Sequence, residues 1–370
     1  MNKPSVIAFY LPQYHSIPEN DEWYGLGFTE WDNVRSAKPL FPGHQQPKIP
    51  SELGYYSPLD IDTRIKQANL AKEAGINAFC YYHYWFGEGK MLLEKPLFQM
   101  MESKEPNFPF CLCWANHRWY KKTWDNKSSV LNQQVLLDIN YGTEEDWKKH
   151  FNTLLPIFQD PRYYKIEERL VFVFYRIQDI PNVEKLKALW NQLAWQNGLK
   201  GFYYMTYVDD PAKYNDPIQR SCEMTIMSYK SAIESIGKRT WFRKFSRFCA
   251  MLIPQILHLP LGVKDYSQIR KHLSGEIFRE ENVVPVLIPN WDNTPRRGYG
   301  ALVLKNATPE QFYLHCKEVL QYLHGKTNKL LFVKSWNEWG EGNYMEPDEQ
   351  YGRGYIHALK KALEEFEKNR

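Results

Sequence analysis

Two carboxylates three residues apart, Glu338 and Glu341, stand in the run Ser335-Trp336-Asn337-Glu338-Trp339-Gly340-Glu341-Gly342. At the end of an apolar strand such a pair can face one cavity. Two carboxyl groups in unlike environments are what glycosidic bond cleavage needs, one ionised and the other kept protonated at neutral pH. Neighbouring Trp side chains would raise one pKa by desolvation, and the glycines let backbone approach a ligand closely. The competing reading is a pair of solvated acids on a turn, because this spacing is common on helix surfaces. The flanking Trp and Asn, and the apolar run Leu331–Trp336 that leads into the pair, favour the cavity. Glu346, in Met345-Glu346-Pro347, is a further acid downstream.

The same change from apolar to aromatic-plus-polar recurs where other apolar runs end. Tyr10, Tyr14 and His15 close the first run, and Tyr81, His83 and Trp85 the second. Trp114 and Asn116 close the third, Tyr207 the fifth, and Trp291 and Asp292 the seventh, while Trp336 and Asn337 belong to the last. Flat rings stack on the C–H faces of sugars and polar groups take the hydroxyls, so these residues are candidate glycan contacts. For His83 the competing reading is a core histidine satisfied by a backbone carbonyl. Glu30 and Trp31 lie in the first long loop, read either as a sugar-binding lid or as a surface loop packing its own Trp. Arg296-Arg297 reads as a site for an anionic group or as a solvated loop.

The elements that must position these residues are legible as eight β-rich runs: Val6–Tyr10, Ala78–Trp85, Phe110–Trp114, Leu170–Arg176, Gly201–Tyr207, Met224–Ser228, Val283–Pro289 and Leu331–Trp336. Near-continuous apolar strands are what a parallel sheet covered on both faces requires. Helical patterns with start and stop signals cover Asp62–Ala74, Glu144–Ile157, Val183–Gln196, Pro309–Leu323 and Gly354–Glu367. Alternating strands and helices predict an α/β fold, a single (β/α)8 barrel spanning residues 1–370 with long insertions at 11–61 and 229–265. An open doubly wound sheet is the runner-up. It would want a glycine-rich loop after the first strand, where the sequence has Leu11-Pro12-Gln13-Tyr14-His15.

Composition narrows the function classes. The 370 residues include 13 Trp, 25 Tyr and 20 Phe, the mixture that suits a sugar cleft. The hydrophobic fraction of 43% and charged fraction of 24% are those of a folded soluble chain. A net charge of +4 is too mild to imply nucleic acid. None of the six cysteines forms a C-x-x-C pair, and Cys80, Cys111 and Cys222 lie in or beside apolar runs, so they read as reduced core thiols. The opening apolar run, Val6 to Tyr10, is too short for the core of a signal peptide, and the expectation is a reducing, cytoplasmic compartment.

No cofactor and no metal are expected. The His and Cys residues show no zinc spacing. Asp60-Ile61-Asp62 matches the D-x-D pattern of many transferases but directly precedes a helix, where an Asp caps. Gly25-Leu26-Gly27 and Gly352-Arg353-Gly354 lack the third glycine of a phosphate loop. The stretch 238–263 combines Lys238, Arg239, Arg243, Lys244 and Arg247 with Trp241, Phe245 and Phe248 at helical spacing, then a Pro-broken apolar run. It reads as a segment lying in an anionic membrane interface, against a helix packed on the barrel surface.

The stretches IAFYLPQYHSIPEND, WYGLGFTEWDNV, FCYYHYWF, FCLCWANHRW, PNWDNTPRRG and SWNEWGEGNYMEPD resemble the WbsX-type proteins assigned to bacterial lipopolysaccharide and O-antigen synthesis, over most of the chain. The barrel plan and the N-E-W-x-E pattern also resemble the family 99 glycoside hydrolases, the endo-α-mannosidases. The second resemblance implies a (β/α)8 barrel acting with retention, Glu338 as general base on the sugar's own 2-hydroxyl and Glu341 as general acid at the leaving oxygen. It places Glu346 as the family's downstream acid, positioning sugar hydroxyls or holding the loop. The first implies an oligosaccharide or lipid-linked glycan as partner, at the cytoplasmic side of the inner membrane. WbsX-type proteins are commonly labelled glycosyltransferases, so nucleotide-sugar-dependent transfer stays open, as does a non-catalytic glycan-binding barrel.

Overall fold

The computed structural model describes residues 3–120, 134–231 and 262–368. Eight strands form a closed parallel ring: β1 (Ser5–Tyr10), β2 (Ala78–Gly87), β3 (Phe110–Trp114), β4 (Arg169–Phe174), β5 (Phe202–Val208), β6 (Met224–Met227), β7 (Val283–Leu287) and β8 (Leu330–Val333). Each pairs with its sequence neighbour, and β8 closes on β1 with Val6 opposite Leu331 and Ala8 opposite Val333. This is the (β/α)8 barrel that the alternating pattern predicts. Every residue of β2, β3, β5, β7 and β8 is buried, because side chains fill the interior and helices cover the outside.

The helices follow local rules. Helix α3 (Ile61–Ala74) begins at Asp60, whose Oδ2 accepts from the Thr63 amide at 3.0 Å, and ends at Gly75 with φ 86°. The D-x-D match is therefore a helix cap. Helix α5 (Glu144–Phe158) opens with a Thr143–Asp146 capping box. Helix α6 (Val183–Gln196) and the helices Pro309–Leu320 and Gly354–Lys368 lie where predicted. Helix α4 (Lys95–Ser103), nine residues with Pro96 in its first turn, was not predicted. The first excursion holds two short helices, α1 (Pro18–Tyr24) and α2 (Glu30–Ser36).

The basic aromatic stretch 238–263 falls outside the described residues except for Gly262 and Val263. These open a short strand, Gly262–Asp265, paired in parallel with Leu302–Lys305 outside the barrel. Among the described residues, no helix is long and apolar enough to cross a membrane. Cys80, Cys111, Cys113, Cys222 and Cys316 are buried free thiols.

Candidate active site

The chain leaves β8 through Lys334 and Ser335 into a small hairpin in which Asn337–Glu338 pairs antiparallel with Asn343–Tyr344. The turn between them is Trp339–Glu341, followed by Gly342 at φ 51°. This turn brings Glu338 and Glu341 to the same guanidinium. Arg296 Nη1 lies 3.4 Å from Glu338 Oε1 and 3.1 Å from Glu341 Oε1, while its Nε donates to Glu30 Oε1 at 2.6 Å. Arg296 comes from the short helix Thr294–Arg297 and Glu30 from the start of α2, so three distant segments meet here. A Cβ added to Gly340 would fall 1.8 Å from Glu30 Oε1, so only glycine admits that carboxylate against the turn. Burial works against the Arg296 charge, but Glu30, Glu341 and Glu338 outweigh it and hold the guanidinium well above its usual pKa.

The other oxygen of Glu338, Oε2, accepts from Ser335 Oγ at 3.0 Å and lies 3.4 Å from Lys334 Nζ. Lys334 is almost fully buried. Its ammonium donates to Tyr82 Oη at 2.9 Å and sits within 6 Å of the ring centroids of Phe9, Tyr82, Tyr175, Tyr207 and Trp291. Burial opposes that charge too, and Glu338 with the surrounding tyrosines restores it, so the lysine stays cationic. The carboxylates, Arg296 and Lys334 line a cavity of about 330 Å³ at the C-terminal mouth of the barrel, with Tyr82, Tyr84, Trp119 and Tyr175 as rings on its wall. Stacking platforms beside paired carboxylates and cations are suited to a saccharide.

Of the candidate residues, Glu30, Glu338 and Glu341 line this cavity. Tyr207 stands one layer behind, stacked on Tyr175 with centroids 4.9 Å apart, and the face of Trp291 lies 4.2 Å from Lys230 Nζ. The remaining candidates point elsewhere. Tyr10 donates to Gln67 on α3 and Tyr81 to Met100 Sδ on α4. His83 Nε2 lies 2.7 Å from His150 Nε2 on α5, with burial holding His83 down to about 3, and Trp85 stacks on His150 at 4.4 Å. The partner of His83 is thus another histidine, not a backbone carbonyl. Trp114 donates to the Trp85 carbonyl, and Asn116 binds the backbone of Arg176. His15 Nδ1 meets the Pro12 carbonyl, and burial lowers its pKa to about 4.

The reason is strand parity. Successive side chains alternate faces, so on β2 Tyr82 and Tyr84 face the cavity while Tyr81, His83 and Trp85 face the helices. Tyr82 and Tyr84 therefore take the wall in place of the neighbours chosen from the sequence; Tyr175, Trp119 and Lys334, which also line it, were not chosen. Lys334 did leave one signal, a lone cation directly continuing the apolar strand Leu330–Val333. Arg296, read from the sequence as an anion site, has its guanidinium occupied by protein carboxylates.

A second group of candidates fixes the hairpin. Asn337 exchanges two hydrogen bonds with the Leu11 backbone, at 2.7 and 3.0 Å, and donates to Tyr56 Oη. Tyr14 Oη donates to the Asn337 carbonyl and accepts from the Trp339 amide. Trp31 donates to the Tyr56 carbonyl and packs on Tyr14 and Trp339. Trp336 packs on Phe79. Glu346 is fully buried and accepts from Trp339 Nε1, Gln67 Nε2 and Tyr56 Oη. Burial raises its pKa to about 7 against those donors. Asp292 faces away from the main cavity, accepting from His44 Nε2 at 2.8 Å and Gln46 Nε2 at 2.7 Å.

Among solved structures, the chain is similar to the GH99 endo-alpha-mannosidase from Bacteroides thetaiotaomicron, with TM-score 0.60 and 14% identity over 98% of this chain and 97% of that one. A "Glycoside hydrolase-like protein" matches with TM-score 0.58 and 12% identity over 98% and 94% of the two chains. At such identities the likeness is one of fold. In sequence the chain is 32% identical over 362 residues to the uncharacterized protein WxcX of Xanthomonas campestris pv. campestris, covering 97% of this chain and 49% of that protein. The chain thus spans about half the length of the curated relatives it matches. The family model described as "Glycosyltransferase WbsX" matches residues 6–359, and the chain belongs to that family.

Proposed function

We propose that this barrel cleaves or transfers glycosyl units of a bacterial surface polysaccharide, with Glu338 and Glu341 as the working carboxylates. The observation that carries the reading is their convergence on Arg296 at the edge of a ring-lined cavity. The two differ in setting. Glu338 is the more enclosed, its side chain 9% exposed with both oxygens engaged, and Glu341 is 19% exposed. The contacts of Glu338 with Arg296, Lys334 and Ser335 support it as the base that takes a proton from the sugar's 2-hydroxyl while the 2-oxygen closes on the anomeric carbon. Glu341 is then the acid that protonates the departing oxygen. Water or an acceptor hydroxyl then attacks the anomeric carbon and loses its proton to Glu341. The bond to the 2-oxygen breaks as Glu338 returns the proton to that oxygen, giving hydrolysis or transfer with net retention.

The test is turnover of an oligosaccharide panel built from bacterial surface polysaccharides. Glu338→Gln and Glu341→Gln are each expected to lower kcat by about 10² to 10⁴-fold with the fold retained by circular dichroism. Full activity in both variants would refute the pair. The family description favours a second reading, transfer from a nucleotide sugar. It predicts consumption of a nucleotide sugar that either substitution stops, and no consumption across a broad panel rules it out. The lipid-linked form of the glycan, the cytoplasmic setting and membrane contact through 238–263 belong to the proposal.

A further inference from the structure

A second cavity, about 130 Å³, lies behind the candidate active site. Segments far apart in sequence enclose it: Phe41 to Lys48 of the first excursion, Asn290 to Asp292 after β7, Val303 to Ala307, and Gln350 to Tyr355 before the last helix. Trp291 and Gly342 form part of its wall. The ring of Trp291 also lies beside Lys230 and Lys334 of the main cavity, so one indole separates the two spaces. The Asp292 amide donates to the Glu341 carbonyl at 2.8 Å, which ties this wall to the turn carrying the carboxylates.

The lining is aromatic and rich in donors. The His44 ring stacks on Phe41 with centroids 4.4 Å apart, and Tyr351 and Tyr355 stand nearby. Its one lining carboxylate, Asp292, is saturated: Oδ2 accepts from His44 and Gln46, and Oδ1 from Thr294. Asp348, the other acid near Lys48, accepts from Tyr344 Oη and the Tyr351 amide. Lys48 and Lys305 also line the cavity. Among the described residues neither ammonium has a hydrogen bond or an ion pair, although Lys48 is half-buried. Lys48 thus lines the cavity half-buried, with the Asp292 and Asp348 carboxylates as charge partners through space and its hydrogen-bond donors open to an anionic group. Burial also lowers the Lys48 pKa, opposed by Asp292 and Asp348.

We propose that this cavity is an accessory saccharide subsite for one acidic sugar residue, with Lys48 as the contact to its carboxylate or phosphate. The cavity, about 130 Å³ against about 330 Å³ for the main one, limits the ligand to a small one such as a single sugar residue. The Phe41–His44 stack and the tyrosines supply faces for its C–H bonds. The inference rests on the glycan reading only in taking the ligand to be a sugar, and it is independent of which carboxylate does what.

The experiment is calorimetric titration of the full chain with glucuronate, glucose 6-phosphate and glucose, repeated in Lys48→Met, Lys48→Arg, Lys230→Met and Glu338→Gln. At least one acidic sugar is expected to bind at least tenfold more tightly than glucose, and the preferred one identifies the anionic group. Lys48→Met should weaken it about tenfold or more, Lys48→Arg should largely keep it, and Lys230→Met and Glu338→Gln should leave it unchanged. Equal affinity for glucose, absence of saturable binding, or loss in Lys230→Met with retention in Lys48→Met would each overturn the subsite. Turnover in Glu338→Gln judges the proposed chemistry separately.

Discussion

Replacing Arg296 with Met removes a charge of similar reach and leaves three carboxylates facing one another. At an effective dielectric of about 20, unit charges at the observed 2.6, 3.1 and 3.4 Å attract by roughly 6, 5 and 5 kcal/mol for Glu30, Glu341 and Glu338. Much of this is offset by the cost of drying a guanidinium whose side chain is only 8% exposed. The net loss when one partner of a buried pair is deleted is about 3 to 5 kcal/mol. With an unfolding entropy of about 2.1 cal/mol/K per residue, that corresponds to a midpoint about 4 to 6 °C lower. Thermal unfolding followed by circular dichroism at pH 7 reads it directly. Adding Glu30→Gln to Arg296→Met should recover about half of the loss, because Glu30 is the nearest of the three, whereas Glu30→Gln alone should destabilise. A midpoint within 1 °C of wild type, or strictly additive effects of the two substitutions, would show that the guanidinium does not hold these carboxylates together.

Two further outcomes follow from the same geometry. Burial lifts Glu346 from the ordinary carboxyl value of 4.5 to about 7, so its folded value lies above its unfolded one. Its contribution is then intact below about pH 4.5 and lost as the pH rises to about 7, on the order of 3 kcal/mol in all. Wild type should lose about that much stability relative to Glu346→Gln between pH 4.5 and 8 in denaturant titrations, and a pH-independent difference contradicts the burial account. On β2, Tyr82→Ala should weaken oligosaccharide binding by about tenfold, ~1.4 kcal/mol. Tyr81→Phe loses only a 3.7 Å contact to a sulfur and should leave affinity unchanged and stability within about 1 kcal/mol. The reverse pattern would mean that the strand presents its other face to the ligand.

The barrel was legible because its signals are local. Strands buried on both faces read as short apolar runs, and Asp60, Thr143 and Thr308 mark helix starts by hydrogen bonds within three residues. The same double burial hid the site. In a half-exposed strand, polar residues mark one face. In Tyr81-Tyr82-His83-Tyr84-Trp85 every residue is buried, so no alternation remains to say which side chains face the cavity. Glu338 and Glu341 could be found because they share one turn. Their joining to Arg296 and Glu30 could not, because it depends on segments about 40 and 300 residues away folding to one point. The second cavity is illegible for the same reason.

The abundance of Trp and Tyr divides differently from what the sequence invites. Some of the rings near the site face the cavity, and others hold the hairpin that carries the carboxylates. Trp339 stacks on Tyr344 at 3.8 Å, Trp31 packs on Tyr14, and the Tyr56 hydroxyl accepts from Asn337 and donates to Glu346. These rings and hydrogen bonds pin a two-residue hairpin that has too little sheet of its own to stay in place. Carboxylates that must meet a reacting sugar within fractions of an ångström need such support, since a site left loose by its surroundings loses most of its rate. The buried Asn337, Tyr14 and Glu346 therefore bear on the proposed chemistry through the position of Glu338 and Glu341.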